Sequence, residues 1–489
     1  MTYRNNRMAP ALIIAVCIVS IYFFLSPAPN HRLSQPLDLG TSVKIGEASH
    51  VQQHEHVSSE QDVPPQEMAS PPAEDKEPDS AAHVGSADGS LSPNDVLLIM
   101  KTGGTTMWKR LLAHLMTSLA EERIPHNNIV IYSDLNETIG HFRTIDVLAN
   151  MSHIAGNTPD FDVYRQQPEY MAHNYYVEAS GVAGDEWGPT GGWIIDKYKF
   201  IPLMQHAGDN WPRAKWYIYM EDDTYLFLPQ VLSYLSRFDH RRPHYLGSYA
   251  AKSDRVFAHG GAGFAVSRAA WEKSFGVNSN LTNEYYEYTA DHCCGDQVLA
   301  HALDKYGVRF GENDGDGKFT WGFNPVVHWA FGFSRHNWCS PLMSWHKVHS
   351  RDVAAYYELE RSFDFSKPLL HKDFFGKMML HRVQERKEWW DNMSGVYEVT
   401  SANKEDPPAP PDAYEASVWK KGWESADACE AACKSWVNCV QWSFVEDLCR
   451  LDDKVFEGQG FAPAMSQRKT SLKHTSGWLP DRLNDWSCS

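Results

Sequence analysis

Three carboxylates stand together in the stretch WYIYMEDDTYLF, residues 216–227: Glu221, Asp222 and Asp223. Apolar and aromatic residues flank them on both sides. Adjacent like charges repel and resist burial, so the run needs either solvent or a cation. A solvated turn is the plain alternative. The apolar residues ahead of the acids read as a buried strand that delivers them at its C-terminal edge, where open α/β sheets bind ligands. Oxygen donors suit Mg²⁺ or Mn²⁺, and such an ion can bridge protein carboxylates and a diphosphate.

Three further stretches carry groups that could join this chemistry. AHGGAGFAVSRAAWE, residues 258–272, holds Gly260, Gly261 and Gly263, which permit close backbone approach, and Ser267, which can cap a following helix. A tight turn would use the same glycines. DHCCGDQVLAHAL, residues 291–303, puts Asp296 at the start of an amphipathic helix bearing Val298, Leu299 and Leu303. A carboxylate there either answers the helix dipole or acts as a general base facing a cleft. WCSPLMSWHKVHS, residues 338–350, offers His346 as a nitrogen ligand, with His349 and His328 as competitors. His292, Cys293 and Cys294 lack the spacing of a tetrahedral zinc site, and disulfides suit these cysteines better.

The elements that must position these groups are readable. NDVLLIMKTGG, residues 94–104, is a buried-strand pattern ending in glycines. The following TTMWKRLLAHLMTSLA has helical spacing, with Met107, Leu111, Leu112, Leu115 and Met116 expected on one buried face. NIVIYSD, residues 128–134, reads as a second strand. Strand, glycine turn, helix and strand open an α/β sheet domain. WIIDKYKFIPLMQHA, residues 193–207, is expected as one helix ahead of the strand at 216, with Lys197 and Lys199 on its solvated face.

The chain has 489 residues, 43% of them hydrophobic, and 18 tryptophans, enough for a substantial core and more than one folded unit. Its net charge of −17 argues against nucleic-acid binding. Residues 1–8 read as a cytoplasmic tail and 9–27 as an uncharged transmembrane signal anchor preceded by Arg4 and Arg7. Tyr22, Phe23 and Phe24 stand where signal cleavage needs small residues, so the anchor is expected to stay and the remainder to be lumenal. Residues 28–94 form a Pro-, Ser- and acid-rich stem, expected to be disordered. The main domain is placed at 95–400, a proline-rich linker at 401–411, and a small cysteine-dense module at 412–489. Outside Cys17 there are eight cysteines, an even set that suits disulfides in an oxidising lumen. Asn136, Asn150, Asn280 and Asn392 each begin an N-glycosylation triplet.

In this order the motifs resemble glycosyltransferase family 31, the β-1,3-glycosyltransferases that include core 1 galactosyltransferases and Fringe proteins, over roughly residues 95–360. EDDTYLF resembles the family's three-acid motif with Glu221 in the first place. GGAGFAVS resembles its glycine motif, GDQVLA the segment bearing its proposed catalytic base, and SWHK the segment bearing a metal-binding histidine. The resemblance implies an α/β, GT-A type nucleotide-diphospho-sugar transferase fold, a UDP-sugar donor, Mn²⁺ or another divalent cation, and inversion at the anomeric carbon. It implies Asp296 as the base and Asp223, Asp222 and His346 as metal ligands. Glu221 would lie near the ribose or a metal-bound water. Lys101, Thr102, Gly103, Ser133 and Asp134 would lie near the nucleotide, and Glu221, Asp222, Gly261 and Gly263 would line the donor site. The cysteine module resembles a PAN/Apple domain, a pairing typical of the fungal branch. That resemblance implies Cys433–Cys439 nested within Cys429–Cys449 and leaves Cys293, Cys294, Cys339 and Cys488 open.

The expected protein is therefore a single-pass type II Golgi membrane enzyme. It would move a sugar, galactose as first choice, from a UDP-sugar to a glycan or glycoprotein acceptor in β-1,3 linkage, with no nucleic-acid partner. The alternatives are a catalytically inactive, membrane-anchored carbohydrate- or protein-binding protein and a secreted metal-dependent hydrolase.

Overall fold

Val96–Lys101 and Trp216–Glu221, two of the strands read from sequence, run parallel at the centre of a seven-stranded sheet, with Lys101 opposite Glu221. The computed structural model describes residues 90–151, 158–172, 192–252, 255–311, 322–383, 386–460 and 472–488. All belong to one unit, Pro78–Ser489. Residues 9–27, read as the membrane anchor, and nearly all of the stem lie outside the described residues. Among the described residues no helix is long and apolar enough to cross a membrane.

Across the sheet the strands run Thr138–Ile139, Phe142–Asp146, Ile129–Ser133, Val96–Lys101, Trp216–Glu221, Phe264–Ser267 and Tyr245–Gly247. The four from Phe142–Asp146 to Trp216–Glu221 are mutually parallel, and Phe264–Ser267 is antiparallel to both its neighbours. Parallel strands covered on both faces carry near-continuous apolar runs, and Val96 to Met100 are all buried. Alternation along each strand feeds two cores. Leu97, Ile99, Tyr217 and Tyr219 pack with Leu203, Met204, Val298 and Leu299. Leu98, Met100, Ile218 and Met220 pack with Met107, Leu111, Val231 and Leu235. Because the strands are parallel, Lys101, Ser133 and Glu221 end at one edge.

Two helical expectations change. The helix Met107–Leu115 buries Met107, Leu111 and His114, whereas Leu112 and Met116 are exposed. A polar side chain has taken the inner face because it has polar partners there. Residues 193–207 do not form one helix. Gly192–Asp196 and Phe200–Asn210 are separate helices joined by a turn at 197–199. Lys197 and Lys199 are buried rather than solvated, because carboxylates await them: Asp160 lies 2.8 Å from Lys197, and Asp134 and Asp196 lie 3.1 Å and 2.5 Å from Lys199. The expected cap is present, with Ser267 accepting from Ala270 N–H at the start of Arg268–Lys273.

A second, three-stranded sheet lies beside the acidic run: Phe323–Asn324, Ser344–His346 and Thr224–Leu226. A third sheet is five-stranded and C-terminal, in the order Lys387–Glu388, Thr475–Trp478, Gln441–Val445, Leu448–Asp452 and Tyr397–Thr400. Disulfides Cys429–Cys449 and Cys433–Cys439 close its helix Ala426–Ser435 onto it in the nested arrangement expected. The sheet does not respect the boundary drawn at 400 and 401. Tyr397–Thr400 pairs with Leu448–Asp452, and Lys387–Glu388 pairs with residues 475 and 476. These strands are too short to show a period of two.

The third sheet is also fastened to the main fold. Cys339 is bonded to Cys488, Phe333 bridges Val455, and Phe333, Trp338, Val455, Trp478 and Trp486 share one core. Cys293 and Cys294 form a disulfide with each other. Of the four glycosylation triplets, Asn136, Asn150 and Asn280 are exposed. Asn392 is fully buried, donating its amide to the carbonyls of Trp442 at 3.1 Å and Gly477 at 3.3 Å.

Candidate functional site

Alternation at the end of Trp216–Glu221 divides the acidic run. Side chains two apart share a face, so Glu221 and Asp223 turn one way and Asp222 the other. Asp222 accepts from the hydroxyls of Thr102 at 2.6 Å and Thr106 at 2.9 Å, and its other oxygen lies 3.4 Å from Arg110. Its backbone is clamped as well. The N–H donates to Lys101 O at 3.0 Å, and the carbonyl takes the His114 Nε2 proton at 3.0 Å. Burial holds His114 neutral, down to about 4. Burial, with the Asp223 charge beside it, pushes the Asp222 carboxyl above its ordinary range despite Arg110.

Asp223 faces His346. Its Oδ1 lies 3.4 Å from His346 Nε2, and Arg110 donates to Oδ2 at 3.1 Å. Burial alone would raise this carboxyl, but His346 and Arg110 outweigh it and hold Asp223 well below the usual range. Glu221 accepts from the Tyr219 hydroxyl at 3.0 Å and lies 3.3 Å from Lys101 Nζ. Each of Glu221, Asp223 and His346 presents a ligand atom within 4.8 Å of the other two.

These residues fit a divalent cation. Asp223 Oδ1 is buried without a hydrogen-bond partner. His346 Nδ1 meets the Pro325 carbonyl at 2.9 Å. A carbonyl only accepts, so Nδ1 carries a proton and Nε2 is left to face Asp223, the usual second-partner arrangement of a ligating histidine. Two carboxylate oxygens and one imidazole nitrogen form a donor set suited to Mn²⁺. Of the expected ligands, Asp223 and His346 lie in this group together with Glu221, whereas the Asp222 oxygens meet Thr102, Thr106 and Arg110. The period of two within WYIYMEDD carried that information.

The glycine stretch cradles the histidine. A Cβ added to Gly261 would come within 2.2 Å of His346 Nε2. The Thr224 hydroxyl donates to Gly261 O at 2.6 Å, and Gly263 has φ 83°, a conformation that favours glycine. Next to it, Gly260 N–H donates to Asp296 Oδ2 at 2.8 Å, and Gln297 N–H to Oδ1 at 2.8 Å. Asp296 stands at the start of Gly295–Asp304, as expected. Burial, opposed by the Gly260 and Gln297 hydrogen bonds and reinforced by the Glu221 charge, pushes its carboxyl up to about 6. That value suits a base working near neutral pH.

Lys101, Thr102, Gly103, Ser133 and Asp134 gather at the same sheet edge. Asp134 accepts from Gly104 N–H at 2.7 Å, Gln167 at 2.7 Å, Lys199 at 3.1 Å and the Ser133 hydroxyl at 3.3 Å. Asp196 joins Lys199 to Lys101, which lies 2.6 Å from its Oδ2. The chain Asp134–Lys199–Asp196–Lys101–Glu221 therefore ties the turn after the first strand to the acidic run. Sequence reading missed Arg110, His114, Gln167, Asp196 and Lys199. The pattern DKYK, an acid three residues before a lysine, was the available signal for two of them. His328 and His349 stand apart from the cluster: His328 bonds the Tyr356 hydroxyl, and His349 caps the helix Ser350–Ser362.

Residues 196–299 match the Fringe-like family model. The match runs from Asp196 through the acidic run and the glycine stretch to Asp296. It marks a Fringe-like domain of the glycosyltransferase family 31 type and implies a glycosyltransferase. No curated protein matches the chain.

Proposed function

We propose that this protein is a divalent-cation-dependent inverting transferase that moves a sugar, galactose as first candidate, from a UDP-sugar to a glycan hydroxyl in β-1,3 linkage. The observation that carries the reading is the meeting of two groups at one sheet edge. Glu221, Asp223 and His346 converge as a ligand set, and the Gly260–Gly261 backbone links that set to the raised carboxyl of Asp296.

Glu221, Asp223 and His346 would hold the cation, and a bound Mn²⁺ would offset the charge that develops on departing UDP. Asp134, Thr102 and Gly103 form the rigid turn that receives the nucleotide. Asp296 takes the proton of the acceptor hydroxyl as that oxygen bonds to the anomeric carbon. The bond from that carbon to the diphosphate oxygen breaks, and its electron pair leaves with UDP. A single displacement inverts the configuration.

The same reading includes the membrane anchor, the stem, a lumenal Golgi location and a PAN/Apple-like role for the C-terminal sheet in holding acceptors. The motif order, the even cysteine set and the nested disulfides support it. The test is a screen of the purified protein against UDP-sugars with glycan acceptors, with Mn²⁺ or with chelator. Mn²⁺-dependent UDP release coupled to a β-1,3 product is expected. Absence of nucleotide-sugar turnover together with absence of UDP binding would overturn the reading.

A further inference from the structure

The strand that brings His346 to the cluster contains an irregularity at the next residue. Ser344–His346 pairs antiparallel with Thr224–Leu226, and His346 stands opposite Thr224. One more regular step would put Lys347 opposite Asp223. Instead Val348 N–H donates to Asp223 O at 2.9 Å. Lys347 is thus an extra residue, and its φ of 57° lies in the left-handed region. This is the geometry of a β-bulge whose first position ordinarily takes glycine. Glycine adopts that conformation freely, whereas a side chain with a Cβ is strained there. Bulges beside active sites re-aim side chains, and an observed backbone outlier is a ground for asking what the side chain does.

We infer that Lys347 is the cation that receives the donor's diphosphate beside the Glu221–Asp223–His346 cluster. This rests on the reading of the donor as a UDP-sugar. His346 and Val348 on either side are buried, and Lys347 between them is exposed. The other nearby cations are committed. Lys101 is paired with Asp196 and Glu221, Lys199 with Asp134 and Asp196, and Arg110 with Asp222 and Asp223. Lys347 makes no ion pair among the described residues.

The charge balance calls for such a group. Glu221 and Asp223 together offset a divalent cation. The diphosphate of a UDP-sugar then adds two negative charges, and UDP leaves with one more. A lysine ammonium is a compact point charge suited to phosphate.

The test uses the full chain, Lys347→Gly and Lys347→Gln, with Mn²⁺ affinity read by electron paramagnetic resonance, UDP affinity by calorimetry in Mn²⁺, and stability by thermal melting. Lys347→Gly relieves the backbone and is expected to melt at the same temperature or higher. Both variants are expected to keep Mn²⁺ affinity and to bind UDP roughly ten-fold more weakly, the lower range for a hydrogen bond to a charged group. UDP affinity matching wild type in both variants would overturn this inference alone. Parallel loss of Mn²⁺ affinity in both would also overturn it, because Lys347 would then be supporting the cluster. A wild type that binds Mn²⁺ but not UDP would overturn the donor reading and this inference together.

Discussion

The His346 imidazole rests against the bare Cα of Gly261, with a hypothetical Cβ only 2.2 Å from Nε2. The nitrogen that faces Asp223 and the glycine stretch therefore crowd one another. Gly261→Ala must displace the ring, since the Thr224 hydroxyl holds the Gly261 carbonyl in place. Overpacking of this kind destabilises by about 1–3 kcal/mol. The expected outcome is a lower melting temperature together with loss of Mn²⁺-dependent UDP binding, measured by calorimetry.

Asp296 gives a prediction in pH. A base must be deprotonated to act, so transfer should rise as pH climbs through about 6. Asp296→Asn should cut transfer by roughly 10²–10⁴-fold while UDP binding survives. Stability has the opposite slope. The folded carboxyl holds its proton more tightly than its ordinary value of 3.8 allows, so its contribution is fully present below about pH 4. That contribution is lost as pH rises through about 6. Asparagine should flatten this part of the melting profile, and the rate and melting profiles of one variant check both signs.

The acidic run should divide by function. Glu221→Gln, Asp223→Asn and His346→Ala should each weaken Mn²⁺ binding, by about ten-fold or more when a charged ligand is lost. Asp222→Asn should leave Mn²⁺ affinity within a few-fold and act on stability, because one of the two oxygens that serve Thr102, Thr106 and Arg110 becomes an amide NH₂ and the charge facing Arg110 is lost. Mn²⁺ titration followed by electron paramagnetic resonance separates the two classes.

Removing residues 407–489 should abolish soluble folding rather than leave a working donor site. Phe333 and Trp338 would lose Val455, Trp478 and Trp486 from their shared core, and Cys339 would lose its partner. Large aromatic side chains stripped of their packing each cost about 3–5 kcal/mol, and several are stripped at once. Expression yield and gel filtration of the truncated chain test this.

The elements that position Asp296 and the acidic run were readable because local rules govern them. An amphipathic helix begins at Gly295, a serine caps the helix after Phe264–Ser267, and an apolar run leads into Glu221. What escaped reading depended on partners far along the chain. Lys199 resembles a surface lysine until Asp134 is set beside it, and His114 replaces Leu112 and Met116 on the buried face because Asp222 O and Ser118 receive it. The strands Lys387–Glu388 and Tyr397–Thr400 gain their identity only from partner residues 48 or more positions later. The grouping of Glu221 with Asp223 rather than Asp222 is different in kind, since the period of two that produces it is present locally.

The bond between Cys339 and Cys488 spans a sequence separation of 149 residues, and Ser344–His346 lies inside that loop. During synthesis at about 5–20 residues per second, Cys339 would wait roughly 7–30 seconds for its partner to be made. Throughout that interval the strand carrying His346 lacks the tie that closes its loop, and Trp338 lacks Trp486. A nascent chain can therefore complete its central sheet well before the loop that carries His346 is closed by this bond.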